Sequence, residues 1–130
     1  YRFLMKIFGI GTDLTNVNRI KQAIKKNNNF LKKIYTKKEL SKCLKLKSKY
    51  NCLAKRFAAK EAFSKSLGTG ISKGMSFNEI EITNNHAGKP SIKLFGTTKK
   101  IFNKKIKKKF KKFLSLIRNI YSRRANYNKW

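Results

Sequence analysis

The feature that most constrains the fold is a run of helix-forming residues from position 51 to position 67. Its apolar residues recur at helical spacing and form one side: Leu53, Ala54, Phe57, Ala58, Ala62 and Leu67. Gly68 follows at once and is typical of a helix C-terminus, because glycine adopts the left-handed conformation there at little cost. A helix of about five turns with an apolar side needs other elements to cover it, so we expect it to be the longest helix of a folded domain.

The N-terminal part of the chain predicts one strand and two further helices. Residues 6–14 (KIFGIGTDL) read as a strand that runs into a turn, and residues 17–24 have helical spacing. Three asparagines at 27–29 end that helix. Thr36 and Glu39 have the spacing of a capping box, which predicts the start of a second helix.

The part that follows adds a predicted hairpin. Residues 48–51 are polar and predict a break before the long helix, whereas residues 77–82 (FNEIEI) alternate as in a strand. This alternation places Glu79 and Glu81 on one face, where we expect both to meet solvent. Residues 91–95 then read as the partner strand. The predicted fold class is therefore α+β, with a small antiparallel sheet packed against helices.

The chain is strongly basic, with 34 Lys and Arg against 5 Asp and Glu in 130 residues and a net charge of +29. Such a charge favours a polyanionic partner: nucleic acid, an acidic membrane face, an acidic protein or a phosphorylated ligand. Hydrophobic residues make up 40% of the chain, which still indicates a folded protein. Residues 99–130 hold 13 of the basic residues and no acid, so we divide the chain into a core at 1–98 and a basic C-terminal segment at 99–130.

Two cysteines and one histidine exclude several kinds of site. Cys43, Cys52 and His86 are too few for a disulfide scaffold or a structural zinc site, and they make a Ser-His-Asp or Cys-His catalytic site improbable. We therefore expect reduced cysteines that pack in the core, and hence a reducing interior, in the cytoplasm or a plastid-type organelle. No apolar stretch approaches the ~20 residues of a membrane span, and no secretory signal pattern is present, so we expect no membrane association.

Two of the five acids suit a metal site. Asp13 and Glu61 each lie near glycines and have no evident solvation role, and Mg²⁺ binds through one or two carboxylates together with substrate phosphate oxygens. The plainer alternative is that Glu61 pairs with Lys65 one turn along the helix, and composition alone favours it. Gly68-Thr69-Gly70 offers backbone amides to a phosphate, although such a loop is more often only a helix C-cap.

Two motifs give the chain a family resemblance. Residues 9–14 (GIGTDL) with Arg19 resemble the first signature of the holo-[acyl-carrier-protein] synthases, which are small 4′-phosphopantetheinyl transferases. Residues 56–65 (RFAAKEAFSK) resemble the second signature, and the similarity continues through residues 67–71, 75–82 and 88–90 in matching order and spacing. The resemblance covers residues 6–95 and implies a 4′-phosphopantetheinyl transferase-like fold.

This resemblance implies Mg²⁺-dependent transfer of the 4′-phosphopantetheine arm of coenzyme A to a serine of an acyl carrier protein in lipid metabolism, with release of adenosine 3′,5′-bisphosphate. It implies Mg²⁺ ligands at Asp13 and Glu61, catalytic roles for Glu61 and Lys65, and carrier docking at Arg19 and Lys26. Glu61, directly or through a metal-bound water, is the candidate base. Members of the family are typically homotrimers with active sites between subunits. The residues expected to bind coenzyme A are Arg56, Lys60, Ser64, Lys65, Gly68, Thr69 and Gly70.

The last part of the chain departs from the family pattern. The family ends in Val-Ser-Ile-Ser-His-like and Gln-Val-Ile-Ile-like runs, which residues 110–130 lack. Three interpretations are open: a diverged basic helix, a nucleic-acid-binding arm, or a frameshift or unspliced intron near residues 105–113. A shifted frame permits Thr-Ala-Glu-Gly-Gln-Ile-Ile-Ile-Asn, so the third is favoured. The alternatives for function are a basic nucleic-acid-binding protein, which no recognised motif supports, and an inactive binder of carrier proteins.

Overall fold

The computed structural model describes residues 15–68, 70–72 and 74–127. The predicted strand at 6–14, Asp13 and Thr69 lie outside these residues. The elements are helices α1 (Val17–Lys26), α2 (Phe30–Ile34), α3 (Lys37–Cys43) and α4 (Lys49–Ser66), a 3₁₀ turn (Phe77–Glu79), strands β1 (Ile80–Asn84) and β2 (Pro90–Leu94), and helix α5 (Gly96–Tyr127). The α+β prediction is confirmed. In the described part of the chain, no helix is long and apolar enough to cross a membrane.

Helix α4 lies at the centre of the fold and contacts α1, α3 and β1. The main core forms where α1 to α4 meet, around Leu53 and Ala54 of α4. The start of α4 differs from the prediction, because its first turn includes residues 49–51 instead of a polar break. Its end is confirmed: Gly68 has φ +80°, and its N–H donates to the carbonyl oxygen of Lys65 at 2.9 Å.

The capping box and the hairpin are both present. The Thr36 hydroxyl accepts a hydrogen bond from the Glu39 N–H, and the Glu39 carboxylate accepts one from the Thr36 N–H. Strands β1 and β2 pair antiparallel, with Ile82 opposite Ile92. The strand starts later than predicted, at Ile80, because the preceding three residues form the 3₁₀ turn.

The prediction that Glu79 and Glu81 face solvent is wrong. Glu81 is only 6% exposed, and its Oε2 accepts a hydrogen bond from the Thr36 hydroxyl at 2.7 Å. Glu79 is half-buried, and its Oε2 accepts the Thr98 N–H at 2.7 Å, in the first turn of α5. Glu81 therefore joins β1 to the start of α3, and Glu79 joins the 3₁₀ turn before β1 to α5.

The prediction of reduced cysteines is also wrong. Cys43, the last residue of α3, and Cys52, in the first turns of α4, form a disulfide with their Cα atoms 5.5 Å apart. Both residues are buried. The inference of a reducing interior depended on unpaired cysteines, so it loses that support.

Candidate active site

A pocket of about 430 Å³ lies between α1 and α4 and brings together two of the predicted site residues. Arg19 reaches it from α1, and Glu61 lines it from α4. The N-terminus of α1 is held in place here, because the Asn16 side chain caps the helix by accepting the Asn18 N–H at 2.9 Å. Thr15 also lines the pocket and lies two residues after Asp13 in the sequence.

Glu61 is set apart from the other described acids by its surroundings. Glu39, Glu79 and Glu81 are each engaged by an ion pair or hydrogen bonds that join elements of the fold. Of the acids that the structure describes, Glu61 is the one that lines this pocket. A carboxylate on a pocket wall can reach a ligand that enters from solvent.

The oxygen chemistry of this pocket fits a hard cation. Mg²⁺ commonly takes one or two protein carboxylates and completes its coordination with water and substrate phosphate oxygens. Within the described residues, no group of three or more His, Cys, Asp or Glu side chains forms a metal cage. The carboxylate of Glu61 on the pocket wall is of the type that such a cation takes.

The other predicted ligand-binding residues of α4 include a buried polar stripe. Arg56, Lys60 and Ser64 are spaced four residues apart, so they share one face of the helix, and all three are buried. The Ser64 hydroxyl donates to the Glu61 carbonyl oxygen at 2.8 Å. Arg56 donates to the Cys52 carbonyl oxygen and sulfur, and its Nε has no hydrogen-bond partner.

Lys60 occupies a different position from the one expected of a coenzyme A ligand. Its side chain is fully buried, and its ammonium donates to Glu39 Oε1 at 2.6 Å and to the carbonyl oxygens of Ile34 and Phe77. Burial lowers the pKa of Lys60, and the hydrogen bond and charge of Glu39 oppose that shift. All three ammonium protons have acceptors inside the protein, so this arrangement offers none of them to a substrate.

The glycine loop after α4 also uses its amides internally. The Gly68 N–H donates to the Lys65 carbonyl oxygen, and the Gly70 N–H donates to the Ser64 carbonyl oxygen at 3.2 Å. These two amides cap the helix, as the plainer alternative predicts. Lys65 itself is exposed in the last turn of α4.

Helix α1 presents basic side chains to solvent. Arg19, Lys21, Lys25 and Lys26 are exposed, and its first turn holds no acid. Lys25 and Lys26 lie in the last turn of α1, where a positive charge interacts favourably with the negative end of the helix dipole. This stabilisation of the helix is a local reason for their presence. Arg19 has no such local role, because it lies near the positive end of the helix and beside the pocket that Glu61 lines.

Sequence reasoning missed two sets of residues. Thr15 and Phe57 line the pocket, and only the position of Thr15 close after Asp13 hints at its place there. The partners of Lys60 were missed because they come from three separate elements. The capping box identified Glu39 but not its long-range contact.

Comparison with known proteins agrees with these features. Residues 9–119 match the 4′-phosphopantetheinyl transferase superfamily. The holo-[acyl-carrier-protein] synthase of Vibrio campbellii is 45% identical over 98 residues, which is 75% of this chain and 78% of that protein. The crystal structure of holo-ACP-synthase from Plasmodium yoelii is 40% identical, covers 77% of each chain and superposes with a TM-score of 0.65.

A further solved structure carries a ligand. The holo-(acyl-carrier-protein) synthase from Bacillus anthracis, in complex with CoA (3′,5′-ADP), is 41% identical with a TM-score of 0.62 and covers 69% of this chain and 77% of that one. The family match spans more than half of the chain and includes both α1 and α4. This chain therefore belongs to the 4′-phosphopantetheinyl transferase superfamily and, within it, to the holo-[acyl-carrier-protein] synthases.

Proposed function

We propose that this protein transfers the 4′-phosphopantetheine arm of coenzyme A to a serine hydroxyl of an apo-acyl carrier protein, with Mg²⁺, and releases adenosine 3′,5′-bisphosphate. The observation that carries the proposal is that Arg19 and Glu61 share one pocket. A cation for an acidic partner and a carboxylate for a metal or a proton thus lie at the same place. The coenzyme A complex of the Bacillus anthracis relative supports the substrate.

The residues of this chain take the following roles in the proposal. Asp13 and Glu61 would hold the metal, and Mg²⁺ supplies charge neutralisation at the phosphate oxygens when it is bound. Glu61 is also the candidate to accept the proton of the attacking serine hydroxyl. Lys65, exposed at the end of α4, would stabilise the charge that develops on the leaving phosphate. Positioning of the two substrates supplies much of the remaining acceleration.

The partners follow from the same surfaces. Acyl carrier proteins are acidic, so the exposed Arg19 and Lys26 of α1 are suited to steer and dock the carrier. The expected coenzyme A ligands that stay in the proposal are Arg56, Ser64, Lys65, Gly68, Thr69 and Gly70. Lys60 is left out because its ammonium is enclosed by acceptors of the protein. We also propose a homotrimer with active sites between subunits. The compartment stays a prediction.

The test is a transfer assay read by mass spectrometry. Incubation with apo-acyl carrier protein, coenzyme A and Mg²⁺ should add one phosphopantetheine to the carrier, and EDTA should prevent the addition. Glu61→Gln and Asp13→Asn should each remove most of the activity. Glu79→Gln is the matched control, because it makes the same acid-to-amide change in the 3₁₀ turn before β1, at a residue that does not line this pocket, and it should retain activity at neutral pH. Unchanged turnover in the first two variants would contradict the metal assignment.

The second candidate function is nucleic-acid binding, which α5 favours. Lysines outnumber all other residue types between positions 99 and 112, and a pocket of about 470 Å³ between α4 and α5 combines Lys105, Lys108 and Lys112 with the rings of Phe63 and Phe102. Cations interleaved with aromatic rings suit single-stranded nucleic acid. Tight, salt-sensitive binding of an oligonucleotide by a protein that fails the transfer assay would favour this candidate.

A further inference from the structure

A buried lysine ties the central helix to three other elements. The Lys60 ammonium donates to the Ile34 carbonyl oxygen at the end of α2 at 2.5 Å, to Glu39 Oε1 in α3 at 2.6 Å, and to the Phe77 carbonyl oxygen in the 3₁₀ turn at 3.1 Å. The side chain is 0% exposed. Three acceptors from three separate elements thus hold the ammonium in the core.

Glu39 extends the same connection to the hairpin. Its Oε2 accepts the Ile82 N–H of β1 at 3.1 Å, and its Oε1 also accepts the Thr36 N–H that precedes α3. The Lys60–Glu39 pair therefore links α4 to α2, α3 and β1 through one buried set of hydrogen bonds. A buried polar set in which every member has a partner favours a single arrangement of the elements that it joins.

We infer that Lys60 is the positioning residue for Glu61, an inference that rests on the proposed function. The two residues are consecutive in α4, so their side chains leave the helix about 100° apart, and a fixed Lys60 fixes the direction of Glu61. A carboxylate lies about 6 Å from the helix axis, so a rotation of about 10° displaces it by about 1 Å. A displacement of that size at a reacting centre costs on the order of 10²-fold in rate.

The test separates this role from simple stabilisation. Lys60→Met alone leaves the buried Glu39 unpaired and should destabilise the fold. The double variant Lys60→Met with Glu39→Gln removes both buried charges together, and the amide oxygen of the new glutamine can still accept one of the two backbone N–H groups that Glu39 accepts, so this variant should be less destabilised than Lys60→Met. Lys60→Arg keeps the charge, but its planar guanidinium cannot meet the same three acceptors in the same geometry. Lys55→Met, at an exposed position of the same helix, is the matched control.

Two measurements are made on each folded variant: Mn²⁺ affinity in the presence of coenzyme A, by electron paramagnetic resonance, and kcat and KM for the carrier. We expect the double variant and Lys60→Arg to bind Mn²⁺ at least about 10-fold more weakly and to lose about 10²-fold in kcat, with little change in KM for the carrier. Lys55→Met should match the wild type. The melting temperature records stability separately.

The outcomes distinguish this inference from the proposed function. Suppose that the wild-type protein transfers phosphopantetheine, and that the double variant and Lys60→Arg keep its Mn²⁺ affinity and its kcat. That result would overturn only the inference, since the pair would then serve stability alone. A wild-type protein that neither binds Mn²⁺ nor transfers phosphopantetheine would overturn both. If the double variant does not fold, Lys60→Arg decides by the same criteria.

Discussion

Reduction of the disulfide between Cys43 and Cys52 should measurably destabilise the domain. The bond closes a loop with a sequence separation of 9 residues, between the end of α3 and the first turns of α4. In the chain-entropy account, a cross-link that closes a loop of about ten residues is worth about 2.7 kcal/mol at 25 °C, because it restricts the unfolded chain. For a domain of this size that corresponds to about 10 °C in melting temperature.

Reduction changes little else in the folded state. Both residues are buried, and a free cysteine packs as a small hydrophobic side chain. The packing of the core is therefore retained when the bond opens. Arg56 already donates to the sulfur of Cys52 at 3.0 Å, and this contact is available to a thiol as well. The loss should therefore come mainly from the added freedom of the unfolded chain.

The assay is urea unfolding followed by circular dichroism, with and without a phosphine reductant. The midpoint should fall on reduction, and a variant with both cysteines replaced by alanine should fall further, because it also leaves cavities. Thiol titration of the protein unfolded without reductant should find no free thiol. Two free thiols, or identical midpoints in the two conditions, would refute this reasoning.

Two further predictions concern charge. Arg19→Glu should raise KM for the carrier at least about 10-fold while kcat falls less, because it reverses a docking charge. Lys37→Glu on α3 is the control and should have little effect on KM. Equal increases in KM for the two variants would argue against a docking role for Arg19. Hydrogen bonds from Thr98 lower the pKa of Glu79 below its ordinary 4.5, so its contribution to stability is present above that pH and lost as pH falls through the lowered value. Glu79→Gln should flatten this part of the acid unfolding curve, and parallel curves for the two proteins would contradict the assignment.

Local signals predicted the elements well. The capping box of Thr36 and Glu39, the asparagines after α1 and Gly68 after α4 each act within one or two turns, so the sequence shows both partners together. The start of β1 was placed too early, because the alternation in FNEIEI does not reveal the 3₁₀ turn. There, the Phe95 N–H donates to the Glu79 carbonyl oxygen, at the open end of the hairpin.

Contacts between distant residues were not predictable in the same way. A hydrophobic pattern records only apolar positions, so it did not indicate that Arg56, Lys60 and Ser64 form a buried face of α4. The pairing of Lys60 with Glu39 spans 21 residues, and the ammonium also needs carbonyl oxygens from α2 and the 3₁₀ turn. Likewise, the short connection between α3 and α4 brings the two cysteines together, which their number alone did not suggest.

The distribution of the few carboxylates links the fold to the proposed site. In a chain with a net charge of +29, mutual repulsion among cations opposes folding, so an acid stabilises most where it pairs with a buried cation or joins elements. Glu39 is paired with Lys60. Glu79 joins α5 to the 3₁₀ turn before β1, and Glu81 joins β1 to the residue that caps α3. Glu61 instead borders a pocket beside Arg19. Among the described acids it is thus the one on the wall of this pocket, where the proposed function requires a carboxylate.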